Sequence, residues 1–246
     1  MESIRYDQIY KHEVAYWWFR GRRKLLGEIM QNLPKKSLLK ILDTGCCTGY
    51  NLHTLSKFGK VYGVDTEKKA VQYCKTRGFK RVFLLNNGLK LPFKNNYFDV
   101  VTCLDVLEHV KEDEDYLKEL HRVLSPGGKL VLFTPAVSLL WSQLDIISHH
   151  IRRYNKLMLT RKARKAKFVI KDIKYFNYIL FLPILLIILF QKLPFFKQNP
   201  LGADLVVNNK LINKILFFIL YIDVWSLKWL SPPIGVSLLL VAEKER

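Results

Sequence analysis

The sequence predicts an α/β protein with a doubly wound, mostly parallel sheet. Short and nearly continuous apolar runs recur along the chain, and segments of helical period separate them. An apolar run without polar alternation is typical of a strand buried on both faces, and strand–helix–strand units with right-handed crossovers build a doubly wound sheet. The length of 246 residues fits one large domain or two small ones, and half of the residues are hydrophobic. This composition excludes general disorder.

A helix is predicted first, over Ile4–Leu33, and Pro34 with the lysines after it ends this helix. The chain then alternates between apolar runs and segments of helical period. Strands are predicted at Leu38–Leu42, Val61–Val64, Val82–Leu85, Val100–Leu104 and Leu130–Phe133, and helices at Leu52–Phe58, Lys68–Thr76 and Glu112–Leu124. Phe168–Tyr175 and Gly235–Ala242 are predicted to be two further strands, the last of them antiparallel.

We predict a single domain over residues 1–246. Its parts are an N-terminal helical lid (1–34), a ligand-binding core (38–135), a substrate loop with a basic helix and a strand (136–176), an apolar helical insertion (177–232) and the last strand (234–243). The insertion contains two strongly apolar stretches, Tyr178–Phe190 and Ile215–Ile222. Each is well short of the roughly 20 residues that a membrane-spanning helix needs, so both are predicted to be helices of the fold.

The charge balance predicts an anionic partner, because the formal net charge is +19 at neutral pH.

The four cysteines lack the paired Cys-x-x-Cys spacing, and the polar N-terminus lacks the apolar segment of a signal peptide. Reduced thiols in the cytoplasm are therefore expected, and no metal site is expected.

The most informative segment is a glycine-containing turn after the first predicted strand, Asp-Thr-Gly-Cys-Cys-Thr-Gly at 43–49. Gly45 and Gly49 permit a tight turn and a close approach of a ligand to the backbone, and the helix that begins there directs its amides at the ligand. A dinucleotide site needs glycine at two more positions, in the pattern Gly-x-Gly-x-x-Gly. Cys47 and Tyr50 occupy those positions, which disfavours an NAD-dependent oxidoreductase.

Carboxylates beside this turn favour a cationic ligand that carries a ribose. Asp43 lies two residues before the first glycine, where it would repel a pyrophosphate but attract a sulfonium or an ammonium group. Asp65 ends the second predicted strand, where it can accept hydrogen bonds from both hydroxyls of a ribose. The turn and the strand-end acid together are stronger evidence than the glycines alone.

In these residues the sequence resembles the class I S-adenosylmethionine-dependent methyltransferases, in particular their small-molecule type 11 branch. The resemblance covers residues 38–135 and extends through Asn87–Phe93, Phe98–His109 and Leu124–Pro135. It implies a Rossmann-like sheet, S-adenosylmethionine as the methyl donor and methyl transfer as the activity. The donor-binding residues that it implies are Asp43, Gly45, Cys47, Gly49, Asp65, Asn87, Gly88, Leu104 and Asp105.

Cys47 departs from the pattern, because the family usually has glycine at this position. If the position requires a positive φ, a cysteine costs on the order of 1 kcal/mol there. The alternative function is therefore a non-catalytic scaffold with a degenerate pocket.

The candidate catalytic residues follow the fourth and fifth strands, at the carboxyl edge of the sheet. Glu108 and His109 are candidates after the fourth strand, with helix capping as the alternative. After the fifth strand, the segment from Asp145 to Tyr154 resembles a pattern of a bacterial and archaeal branch that also begins with a helix like Trp17–Arg23.

Within that segment His150 is the candidate general base, needed if the acceptor is a hydroxyl. Arg152 and Arg153 are candidates for holding an anionic acceptor, and an Asp145–Arg153 ion pair within the loop is the alternative. Trp18 is the candidate substrate contact of the lid, where ordinary helix packing is the alternative.

Nine lysines and arginines and no carboxylate lie between Asp145 and Asp172. A nucleic-acid ligand requires stacking aromatics among such charges, and only Tyr154 and Phe168 occur there, which disfavours nucleic acid. Basic charge beside apolar helices is typical of proteins that bind an anionic membrane surface; packing on the sheet or a dimer interface is the alternative. We therefore expect a cytoplasmic methyltransferase, peripheral to the membrane, with a small-molecule, lipid-linked or glycan-precursor acceptor.

Overall fold

The computed structural model describes residues 3–33, 38–86, 88–191 and 209–245. Their centre is a seven-stranded sheet in the order β3-β2-β1-β4-β5-β7-β6. The strands are β1 (Leu39–Thr44), β2 (Gly59–Asp65), β3 (Val82–Leu84), β4 (Phe98–Leu104), β5 (Leu124–Pro135), β6 (Phe168–Phe176) and β7 (Ser237–Lys244). β1 to β5 pair in parallel, and β7 runs antiparallel to both of its neighbours. The predicted sheet and its antiparallel last strand are confirmed.

Helices cover both faces of this sheet. They are α1 (Ser3–His12), α2 (Trp17–Gln31), α3 (Tyr50–Leu55), α4 (Lys68–Thr76), α5 (Asp113–Val123), α6 (Gln143–Ile147), α7 (Lys156–Lys165), α8 (Phe181–Gln191) and α9 (Lys210–Ser226). Neighbouring residues of β1 belong to different cores, since Leu42 packs with the α5 and α7 side and Ile41 with the α2 and α9 side. The continuous apolar runs of the central strands are explained by this burial on two faces.

The N-terminal segment forms two helices, so the single helix predicted over Ile4–Leu33 is wrong. The helical conformation is interrupted between them, and Tyr16 takes an extended conformation before α2. At this interruption the side chain of Glu13 points inward. It is 6% exposed and accepts hydrogen bonds from the Thr48 hydroxyl and the Arg77 guanidinium. The carboxylate of Glu13 thereby ties the N-terminal segment to the turn after β1.

The two apolar stretches of the predicted insertion fall in α8 and α9, and residues 192–208 between them lie outside the described part of the chain. The Asp223 carboxylate of α9 is buried and accepts hydrogen bonds from the backbone amides of Asn177, Tyr178 and Ile179 at 2.7, 2.6 and 3.0 Å. It therefore fixes the turn between β6 and α8. Among the described residues, no helix has both the length and the apolar character needed to cross a membrane.

α2 and α9 pack closely at a glycine. A Cβ atom at Gly21 would lie 2.2 Å from Cδ2 of Leu220, whereas one at Gly27 of the same helix would meet its nearest neighbour, Thr54, at 3.9 Å. Gly21 is therefore needed for the approach of the two helices, and Gly27 is not.

We expect Gly21→Ala to lower the free energy of unfolding by about 1–3 kcal/mol, because the added methyl group overpacks the contact with Leu220. Gly27→Ala is the matched control on α2, and it should raise the stability by up to about 1 kcal/mol through helix propensity. Urea unfolding of the two variants measures both effects. Equal changes in the two variants would contradict the close packing of α2 on α9.

Candidate active site

A cavity of about 980 Å³ opens at the carboxyl end of the parallel strands. Its walls come from the N-terminal helices, the turn after β1, the ends of β2, β4 and β5, and the helices α6 and α8. The lining includes Arg5, Tyr6, Glu13, Trp17, Trp18, Arg22, Gly45, Cys47, Asp65, Glu67, Leu104, Asp105, Glu108, His109, Trp141, Leu144, Ile146, His150, Arg153, Ile184 and Ile188. Open α/β sheets bind their ligands at this edge.

The turn after β1 passes through the left-handed region three times, with φ of +65° at Gly45, +48° at Cys47 and +85° at Gly49. A Cβ atom at Gly45 would lie 2.3 Å from Val106, and one at Gly49 would lie 2.8 Å from the Cys74 sulfur. Gly45 and Cys47 line the cavity, whereas Gly49 lies behind it at the start of α3. Cys47 therefore has the positive φ that was expected to be unfavourable for a cysteine, and this backbone strain lowers the stability by on the order of 1 kcal/mol.

Asp65 lies beside this turn at the end of β2 and lines the cavity. Its carboxylate accepts hydrogen bonds from the amides of Cys47 and Glu67 at 2.8 and 3.0 Å. Burial raises its pKa, and these two hydrogen bonds work in the opposite direction. The Thr66 amide also bonds to this carboxylate, and because a carboxylate has about four lone-pair positions, at least one remains available for a ligand hydroxyl. The ribose role of Asp65 stays a prediction.

Asp43 does not line the cavity, contrary to the expected donor contact. Its side chain is 1% exposed and faces its cross-strand neighbour on β4, where the Thr102 hydroxyl donates to Oδ1 at 2.6 Å. Burial raises the pKa of Asp43 to about 7. The carboxyl group is held inside the sheet, because the side chain extends sideways towards Thr102.

The other predicted donor residues fall into two groups. Leu104 and Asp105, at the end of β4, line the cavity. Gly88 is exposed and lies outside the lining, and Asn87 lies outside the described residues.

Arg22 joins the lid to the end of β4. Its guanidinium donates to Asp105 at 2.6 Å and to the Ser237 hydroxyl at 3.2 Å, and it lies 4.9 Å from the centroid of a Trp18 ring. Trp18 and Arg22 are one helical turn apart, so both face the cavity. The sequence pointed to Trp18 and missed Arg22, although the i, i+4 spacing from Trp18 was a signal that both line the cavity. The substrate contact of Trp18 stays a prediction.

The three predicted catalytic residues, Glu108, His109 and His150, lie together in the cavity lining. Glu108 is fully buried, and the Thr134 hydroxyl donates to its Oε2 at 3.2 Å. Its Oε1 lies 4.0 Å from Nε2 of His150 and has no hydrogen-bond partner among the described residues. The rings of His109 and His150 are 4.8 Å apart between centroids.

Burial dominates the electrostatics of this cluster. It raises the pKa of Glu108 well above the usual value, with a further contribution from Asp105. It lowers the pKa of His109 to about 4, and the neighbouring His150 acts in the same direction. Burial therefore shifts both side chains towards their uncharged forms.

The carboxylate of Asp145 orients two side chains of the cavity lining, His150 and Arg153. The buried carboxylate interacts with Nδ1 of His150 at 2.8 Å and accepts hydrogen bonds from Nε and Nη2 of Arg153 at 2.8 and 2.9 Å. Burial raises the pKa of Asp145, but the bonds from His150 and Arg153 outweigh it and lower the value to about 2. The alternative Asp145–Arg153 ion pair is therefore present, although Arg153 still lines the cavity.

Arg152 lies outside the cavity lining, and its predicted contact with the acceptor finds no support in this position. Its guanidinium donates to Asp113 at 2.6 Å and to the carbonyl of Lys111 at 3.0 Å. Asp113 also accepts from Tyr154 and Lys162, at 2.7 and 2.8 Å. Adjacent residues in an extended segment point to opposite sides, and only Arg153 is on the cavity side.

Comparison with known proteins matches residues 42–132 to the methyltransferase domain family. The demethylmenaquinone methyltransferase of Geobacillus stearothermophilus is 35% identical over 119 residues, which are 45% of this chain and 51% of the relative. The mitochondrial ubiquinone biosynthesis O-methyltransferase of Schizosaccharomyces pombe is 34% identical over 125 residues, 46% of this chain and 44% of the relative. The chain thus spans about half the length of these curated relatives.

Solved structures with the same fold include a Haloferax volcanii methyltransferase in complex with the Trm112 methyltransferase activator, with a TM-score of 0.62 at 14% identity over 98% of both chains. The phosphoethanolamine N-methyltransferase 2 of Haemonchus contortus, in complex with S-adenosylmethionine, has a TM-score of 0.60 at 19% identity, over 96% of this chain and 57% of that protein. At these identities the likeness shows the fold.

The sheet order and the cavity at its carboxyl edge define an α/β methyltransferase domain of the Rossmann-like type. Residues 42–132 match the methyltransferase domain family, and the fold around them is that of the class I S-adenosylmethionine-dependent methyltransferases. The methyl donor of this class is S-adenosylmethionine.

We expect Cys47→Gly to be more stable than Cys47→Ala by about 1 kcal/mol, because both variants lose the thiol but only glycine relieves the positive φ. Urea unfolding of the two variants measures this difference. Cys47→Ala is the control for the loss of the side chain. Equal stabilities would show that the cysteine position carries no backbone strain.

Proposed function

We propose that this protein transfers a methyl group from S-adenosylmethionine to a small-molecule acceptor with an apolar body. The observation that carries the proposal is a single cavity whose lining includes both the turn after β1 and the cluster of Glu108, His109 and His150. A methyl transfer needs the donor methyl and the acceptor atom in line inside one enclosed space, and positioning and desolvation supply much of the acceleration.

The residues present fit the donor. The carboxylate of Asp65 has at least one lone pair available for a ribose hydroxyl, and the backbone at Gly45 allows close approach because it has no Cβ atom. Asp105 supplies negative charge on the side of the sulfonium, although its pairing with Arg22 offsets part of that charge. When bound, the donor supplies the electrophilic methyl group, and the acceptor provides the electron pair.

The acceptor end combines an apolar wall with the titratable cluster. The wall is formed by Trp18, Trp141, Leu144, Ile146, Ile184 and Ile188. We propose that the apolar body of the acceptor lies on this wall and that its polar group faces Glu108, His109 and His150. If that group is a hydroxyl, its proton must be removed or its pKa lowered before transfer, and these three side chains are placed for that task.

The names of two relatives support a hydrophobic acceptor, because they refer to menaquinone and ubiquinone biosynthesis. Quinone precursors are therefore the first acceptors to test, followed by lipid-linked and glycan precursors. The alternative, a non-catalytic scaffold, predicts that the cavity binds no adenosyl ligand.

Calorimetric titration with S-adenosylmethionine, S-adenosylhomocysteine and NAD distinguishes these functions. We expect both adenosyl ligands to bind and NAD to give no binding heat.

Asp65→Ala should weaken the binding of S-adenosylmethionine about tenfold or more, because it removes the acceptor of the ribose hydroxyl hydrogen bonds. Asp115→Ala, on the exposed face of α5, is the control and should bind as the wild type does. An unchanged affinity in Asp65→Ala would refute the ribose role.

We further propose that a hydrophobic acceptor reaches the cavity from an anionic membrane surface. Ile184 and Ile188 of α8 line the cavity, while Leu182, Leu186 and Ile187 of the same helix are exposed. α9 also exposes apolar side chains, among them Leu211, Ile215 and Phe218. The net charge of +19 supports attraction to anionic lipid.

This proposal predicts co-sedimentation with anionic liposomes that decreases as salt is added, because charges at a surface are screened. Ile187→Glu should reduce the bound fraction several-fold, since it places a negative charge on the apolar face. Neutral liposomes are the control for the electrostatic part. Absence of co-sedimentation at low salt would exclude this membrane contact.

A further inference from the structure

The cluster of Glu108, His109 and His150 offers one free ligand atom from each side chain. A carboxylate oxygen of Glu108 and one ring nitrogen of each histidine all lie within 4.8 Å of one another. No local sequence pattern indicates such a group, because Glu108 and His109 are adjacent while His150 follows a different strand. We propose that these three residues bind one divalent transition-metal cation at the acceptor end of the cavity.

The hydrogen bonds around the cluster leave the ligand atoms unused. Nδ1 of His150 is held by the Asp145 carboxylate at 2.8 Å, and Nδ1 of His109 lies 3.3 Å from the carbonyl oxygen of His149. Because these two oxygens can only accept, each Nδ1 carries the proton and each Nε2 keeps a free lone pair. Metal-binding histidines almost always have such a partner on the second nitrogen.

Glu108 supplies the negative charge of the proposed site. Its Oε2 accepts from Thr134, whereas Oε1 is buried without a partner among the described residues and lies 4.0 Å from Nε2 of His150. The neighbouring acids are already paired, Asp105 with Arg22 and Asp145 with Arg153. A buried oxygen without a partner is costly unless a cation or a proton satisfies it, and a cation between Oε1 and the two histidines would do so.

Two histidines and one carboxylate are the protein ligands of open zinc sites and of non-haem iron sites, which keep further positions for water or substrate. With bonds of about 2.0–2.2 Å, ligand atoms of one ion lie at most about 4.4 Å apart. The ligand atoms of the present cluster, within 4.8 Å of one another, lie close to that limit. Zn²⁺ and Co²⁺ suit this mixed nitrogen and oxygen set.

The consequence for catalysis rests on the proposed function, whereas the site itself does not. A cation held by these three side chains would keep further coordination positions for water or for the acceptor. A hydroxyl acceptor bound there would have its pKa lowered and would lose its proton to solvent water, leaving the oxygen electron pair for the methyl group. His150 then acts as a ligand of the cation and not as a free general base.

The test is a titration of the purified full-length chain with Co²⁺, after dialysis against a chelator, followed by visible absorption. We expect one equivalent of Co²⁺ to give the d–d bands of a site with nitrogen and oxygen ligands, and Zn²⁺ to displace it. Glu108→Gln and His109→Ala should each weaken Co²⁺ binding tenfold or more. His53→Ala, which removes an exposed histidine outside the cavity, should bind Co²⁺ as the wild type does.

Calorimetry with S-adenosylmethionine on the same samples checks that the variants are folded and separates the two proposals. Loss of Co²⁺ binding with retained donor binding supports the cation site, and His109→Ala keeps the test valid if Glu108→Gln fails to fold. Equal Co²⁺ affinity in the wild type and in both cluster variants, or no binding by the wild type, would overturn the site. Co²⁺ binding without any donor binding would instead contradict the proposed methyl transfer.

Discussion

The chain must turn sharply where three neighbouring strands of the sheet end, and the cavity depends on this constraint. After β1 the turn passes through Cys47, after β4 through Asp105 and after β5 through Val137, with φ of +48°, +56° and +60°. None of the three is glycine, and Val137 is β-branched, so each position costs free energy. Strain of this kind is maintained where the surrounding structure fixes the backbone, and here it bends three loops around the carboxyl edge where ligands bind.

The two ends of the cavity are built by different kinds of interaction. The donor end consists mainly of backbone, with a turn held by the hydrogen bond from the Cys47 amide to Asp65. The acceptor end consists of side chains, and the buried carboxylate of Asp145 orients both His150 and Arg153. A backbone turn fits one ligand shape, whereas side chains on loops can be substituted without a change of fold. The family match ends at residue 132, before the loop from Asp145 to Tyr154.

This division also explains how much the sequence could predict. The strands and the glycine-containing turn follow from apolar runs and a glycine pattern, which are local signals, and the structure confirms the sheet. The directions of Asp43 and Arg152 depend on partners far along the chain, Thr102 and Asp113. No local pattern contains such pairings, so the sequence could not predict that these two side chains lie outside the cavity lining. Arg22 was missed for the same reason, because its partners are Asp105 and Ser237.

The apolar wall of the acceptor end depends on a contact that is remote from the chemistry. Asp223 of α9 binds the backbone amides of the turn that precedes α8, and Gly21 lets α9 pack against α2 of the lid. α8 thereby lies over the cavity with Ile184 and Ile188 turned inward. The lid and the apolar wall are thus coupled through α9, while Arg22 couples the same lid to the end of β4. A movement of α2 would therefore be transmitted to α8 through α9 and to the end of β4 through Arg22, so the packing of α2 affects two walls of the cavity.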